Sequence, residues 1–292
     1  MKRAILALAV GAALLAMALR ARRERPVRPA EEAPRPAPPA VVELSTHAEE
    51  AIVVVEPPAA LKPPPLPRPA PSPPVVEATP SATGAIWGVV TLMGERPPRK
   101  RVKAIEADPA CAALHGEALL SDEFVVDAEK RVRWAVVHVV KGLGERRFEP
   151  PTVPVQLEQV GCRYVPHVLG VRVDQPVAIV NRDPLLHNVH GLPFVNREFN
   201  FGQLWRSENV RAFARPEIFQ VKCDVHPWMS AWLAVFDHPF FAISGEDGVF
   251  RIPGLPPGRY EIAAWHEELK TETREVDVGV IDARLDFLLQ RR

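Results

Sequence analysis

Proline decides where this chain can fold: 17 of its 33 prolines fall between Pro26 and Pro80. So many missing backbone donors and fixed φ angles rule out a helix or a sheet interior. The stretch also buries too little apolar surface to offset the entropy of ordering it. Residues 26–83 are therefore expected to be a disordered, polyproline-like linker, which leaves residues 84–292 to fold.

Ahead of the linker, Met1-Lys2-Arg3 precedes an apolar run from Ala4 to Leu19, followed by Arg20, Arg22, Arg23 and Arg25. A basic start and a short apolar core form an export signal, with Ala16-Met17-Ala18 as a small-x-small cleavage site. The arginines after the core equally fit an uncleaved N-terminal membrane anchor. Residues 1–25 are read as one or the other, which places the protein in the periplasm or outside the cell, free or tethered to the inner membrane. With 36 Lys+Arg against 36 Asp+Glu, no broad basic surface is available and nucleic acid is excluded as a partner.

Beyond residue 83, short segments rich in Val, Ile, Trp and Phe recur between Gly, Pro, Asn and Asp. Examples are Ile86–Met93, Arg101–Ile105, Val132–Val140, Val177–Val180, Ile218–Lys222, Ala231–Phe236 and Tyr260–Trp265. Many short strands with frequent turn signals predict an all-β fold of one or two sandwiches. Only the stretch around Pro109–Leu120 is expected to make a helical turn.

The chemistry gathers in Val221-Lys222-Cys223-Asp224-Val225-His226-Pro227-Trp228-Met229, a C-x2-H-x2-M spacing between two strands. Upstream, Asn181-Arg182-Asp183-Pro184-Leu185-Leu186-His187-Asn188-Val189-His190 follows another strand. Thiolate, imidazole and thioether suit copper: Cu(I) favours soft sulfur, Cu(II) accepts imidazole, and two His with one Cys and a weak axial Met form an electron-transfer set. The competing reading is zinc held by Cys223, His226, His187 and His190.

The pattern Asn-x-Asp, His-Asn-Val and Cys-x-x-His-Pro-x-Met resembles blue-copper cupredoxins of the plastocyanin and amicyanin type, over roughly residues 153–237. The resemblance implies a Greek-key β-sandwich with one type 1 copper ion. His187, Cys223 and His226 would be its strong ligands and Met229 the weak axial one. Asn188 would tie the ligand loops and donate its backbone N–H to the Cys223 sulfur, and Pro227 would stiffen the loop. Electrons would pass through a partly exposed His226 edge, with a periplasmic c-type cytochrome or a dehydrogenase as partner, met at an apolar patch around Pro227 and Leu192.

Two further stretches, Gly84–Val90 and Glu246–Tyr260, resemble transthyretin-like, carboxypeptidase-regulatory-like β modules. The expected organisation is thus a first module part at 84–148, an inserted copper domain at 149–240 and a second module part at 241–292. The whole arrangement resembles exported proteins described as methylamine-utilisation-like or plastocyanin-like.

If Cys223 holds copper, Cys111 and Cys162 are left to form a disulfide; with His115 and His167 they would instead make a second metal site. No Gly-x-Ser-x-Gly elbow or phosphate-binding loop is present, and His266-Glu267-Glu268-Leu269-Lys270 departs from His-Glu-x-x-His. Four protein ligands leave a metal no free position, so an electron carrier is expected rather than an enzyme. The alternative function is a non-redox scaffold or copper store whose β module binds carbohydrate or a protein.

Overall fold

The structure is a computed structural model that describes residues 83–292. The expectations for an export segment or anchor and for the linker lie outside the described residues, apart from residue 83. Among the described residues, no helix is long and apolar enough to cross a membrane.

Within them the chain is almost wholly β. It opens with β1 (Gly84–Leu92) and β2 (Val136–Lys141). The middle runs through β3 (Val155–Gln159), β4 (Tyr164–Val165), β5 (Val168–Arg172), β6 (Val177–Asn181), β7 (His187–Leu192), β8 (Phe199–Gln203), β9 (Glu208–Arg211), β10 (Glu217–Lys222) and β11 (Ser230–Phe236). It closes with β12 (Phe241–Ile243), β13 (Val249–Leu255), β14 (Gly258–His266), β15 (Leu269–Val278), β16 (Ala283–Arg284) and β17 (Phe287–Leu289).

Two sheets hold only middle strands, in the orders β5-β11-β10-β7-β8 and β4-β3-β6-β9. The other two join chain from both sides of the middle: β13-β1-β16, with β17 also on β1, and β12-β2-β14-β15. Period-2 alternation turns one side of each strand inward. Leu157 and Ile179 from one middle sheet meet Val189, Phe219, Val221 and Leu233 from the other. Ile86, Val90, Phe250 and Ile252 meet Val137, Val139 and Ile262 in the same way. Between these two cores, Val136 packs with Val168, Ala234 and Phe236, joining the sandwiches.

One expected strand is corrected. The sequence predicts an extended Arg101–Ile105, but the chain makes a 3-10 turn at Lys103–Ala107 and a short helix, α1, at Pro109–Ala112. Only Ile105 of that turn is buried, so there is no alternating face for a sheet to cover. Asp108 caps the helix, accepting from Ala110 N and Cys111 N, and Pro109 begins it, as suits a helix start.

Register brings the two motif segments together. β10 runs antiparallel to β7 with Lys222 opposite His190 and Val221 opposite Gly191. The next residue, Cys223, therefore comes level with Val189, at the end where β7 begins with His187.

Candidate metal centre

His187 is the first residue of β7, whose burial alternates so that His187, Val189 and Gly191 face inward while Asn188, His190 and Leu192 lie on the other side. Cys223 and His226 come from the loop between β10 and β11. That loop is closed by two backbone bonds, Cys223 N to Met229 O at 3.1 Å and Met229 N to His226 O at 2.9 Å.

The inward side chains converge. His187 Nδ1 and His226 Nδ1 are 3.0 Å apart, and Cys223 Sγ is 3.7 Å from His226 Nδ1. His187, Cys223 and His226 are 0%, 2% and 3% exposed. Donor atoms bound at about 2.0–2.3 Å to one ion stand about 3–4 Å from one another, and the ligand atoms of these three residues all lie within 4.8 Å of one another, close enough to share an ion.

The surroundings of the sulfur favour its thiolate form. Burial alone would raise its pKa, but contact with His187 and backbone N–H groups of Asn188 and His226 outweighs it and holds the thiol below its ordinary value. Asn188 N and His226 N each lie 3.3 Å from Sγ and donate to it. Thiolate is the form that binds metal.

Each imidazole is held from behind by a carboxylate. His187 Nε2 lies 2.9 Å from Asp183 Oδ2, and Asp183 also accepts from Gly161 N and Cys162 N, both at 2.7 Å. His226 Nε2 lies 3.3 Å from Asp108 Oδ2, while Asp108 Oδ1 accepts from Ala110 N and Cys111 N. Carboxylates accept only, so each Nε2 donates in these contacts, which turns each Nδ1 toward the other ring. Burial would depress His187, but Asp183 and the Cys223 sulfur keep its pKa above the ordinary imidazole value. For His226, burial and then the charge of His187 prevail and push it down.

The structure also places the other residues singled out in the sequence. Asn188 joins three segments: its Nδ2 donates to Asn200 Oδ1 at 2.6 Å and Phe201 O at 3.3 Å, and its Oδ1 accepts from Asp224 N at 3.1 Å. Met229 is 1% exposed, in the apolar cluster that includes Cys223, Phe219 and Trp228. Pro227 is exposed beside the buried His226. Cys111 and Cys162 are bonded to each other, S–S 2.01 Å. His115 Nε2 instead meets Gly161 O at 2.8 Å, and His167 pairs with Glu267.

Two expectations are corrected. His190 cannot complete a four-ligand zinc set with His187, because an odd offset along a strand reverses the face; its ring nitrogens meet Asp224 and Glu198, each at 2.9 Å. The His226 edge is not partly exposed either: Asp108 covers Nε2, and the Trp228 ring lies 5.2 Å from the imidazole. Sequence reasoning missed both carboxylates. Asp183 stood inside the quoted motif, four residues before His187, a readable signal. Asp108 carried only a helix-start signal, 118 residues before its partner.

No family model matches this sequence, and no curated protein does. Among solved structures, the chain is similar to a copper-containing nitrite reductase from Thermus scotoductus SA-01, at 22% identity over 34% of this chain and 25% of that one, TM-score 0.28. It is also similar to a purple cupredoxin from Nitrosopumilus maritimus, at 20% identity over 28% of this chain and 99% of that one, TM-score 0.25. A third is an amicyanin mutant in the Cu(I) form, at 20% identity over 33% of this chain and 97% of that one, TM-score 0.27. The chain thus spans a quarter of the nitrite reductase.

Proposed function

We propose that His187, Cys223 and His226 hold one copper ion with Met229 as a weak axial ligand, and that the protein is an exported type 1 (blue) copper electron carrier. Copper bound there would supply one-electron exchange between Cu(II) and Cu(I). The observation that carries this reading is the buried meeting of two imidazole Nδ1 atoms and the Cys223 thiol, at 3.0 and 3.7 Å. A mixed sulfur and imidazole set suits copper in both oxidation states.

The surrounding residues favour a carrier. Asn188 ties the start of β7 to β8 and to the Cys223 loop, and Pro227 restricts that loop. A donor set fixed from both sides changes little between oxidation states. The carrier's partners would be exported one-electron donors or acceptors, such as a c-type cytochrome or a dehydrogenase in the periplasm. On this reading residues 149–240 are a copper domain inserted in an outer module, and the 103–112 segment of that module covers the centre.

One equivalent of Cu(II) added to the purified protein should give an intense blue colour from thiolate-to-metal charge transfer. Cys223→Ala should remain colourless, and Met229→Gln should stay blue with a shifted potential. A colourless wild-type complex would favour the scaffold or storage reading instead.

A further inference from the structure

One group from outside the inserted strands reaches the centre. The Asp108 carboxylate has two oxygens with two tasks: Oδ1 caps α1 through Ala110 N and Cys111 N, and Oδ2 faces His226 Nε2 at 3.3 Å. Its segment is built into the core rather than laid over it, since Ile105, Cys111 and Leu119 pack with Leu157, Cys162 and Cys223. The arrangement also mirrors the opposite side of the centre. Asp183 holds His187 and is itself held by Cys162 N; Asp108 faces His226 and is held by Cys111 N. The Cys111–Cys162 bond therefore joins the anchor points of both carboxylates.

We propose that Asp108 is a positioning residue for His226. It fixes the ring with Nδ1 turned toward the metal, closes the ring edge to solvent, and adds a negative charge that favours the more positive metal state. This rests on the copper reading above.

The test uses the full chain loaded with Cu(II). Asp108→Asn keeps an oxygen to cap α1 but turns an amide donor toward the protonated Nε2, replacing attraction by a clash of donors. Asp108→Ser also caps a helix start well but is too short to reach His226. Glu106→Gln is the control: it removes an exposed charge of the same segment, paired with Arg101, away from the imidazole. Loss of a carboxylate behind a metal-bound imidazole weakens metal binding about ten- to a hundredfold. A tenfold loss for Cu(II) unmatched in Cu(I) is a rise in potential of about 59 mV.

Both Asp108 variants should weaken Cu(II) in a competition titration and raise the potential in spectroelectrochemistry, with Glu106→Gln like wild type. If Asp108→Ser fails to fold, Asp108→Asn decides alone. Affinity and potential unchanged in a folded Asp108→Asn protein would overturn the proposal, as would an equal shift in Glu106→Gln. A wild-type complex without blue colour would instead overturn the copper reading itself.

Discussion

Replacing both Cys111 and Cys162 by Ala removes a cross-link spanning 51 residues. In the chain-entropy model, a loop of that length restricts the unfolded chain by about 14 cal/mol/K, or about 4 kcal/mol at 25 °C. Both cysteines are fully buried, so truncating their side chains adds a local packing loss of the same sign. The site feels the change as well, because Cys111 N and Cys162 N hold the carboxylates behind His226 and His187. Urea denaturation of the metal-free protein, followed by tryptophan fluorescence and circular dichroism, should show the double variant less stable by at least about 4 kcal/mol. Its Cu(II) affinity should fall in the same samples. A loss below about 1 kcal/mol with copper affinity intact would refute the view that this bond organises the centre.

Two further outcomes follow from strand alternation and from burial. His187→Ala should abolish tight copper binding in a competition titration while His190→Ala preserves it, because the two side chains lie on opposite faces of β7; the reverse result would exclude the observed register. His266 is 1% exposed and burial pushes its pKa down to about 4, so the native state keeps it neutral while the unfolded chain takes up a proton below about pH 6.5. Its contribution is therefore fully present above about pH 6.5 and is lost as pH falls toward about 4, a change of about 3 kcal/mol. Denaturation of the metal-free protein at a series of pH values should show this slope, and His266→Gln should flatten it; an unchanged slope in the variant would place the titration elsewhere.

What the sequence made legible was local. Cys223, His226 and His187 could be read because their chemistry and spacing lie within short runs beside strands, and β6, β10 and β11 announced themselves as apolar runs. The outward face of His190 was also readable, given a strand beginning at His187. Asp108 was not: it sits beside a segment mistaken for a strand and meets His226 across 118 residues, a contact that no periodicity encodes. The covered His226 edge was missed for the same reason, since the middle strands considered alone have nothing to cover it. Parallel pairings such as β3 with β6 and β11 with β5 likewise depend on the whole fold.

Three side chains sharing one centre is the central claim, and X-ray absorption at the copper edge measures it directly. The copper-loaded protein should show one short copper–sulfur bond and two imidazole nitrogens, with the short sulfur bond gone in Cys223→Ala. A spectrum of nitrogen and oxygen scatterers alone in the wild type would contradict it.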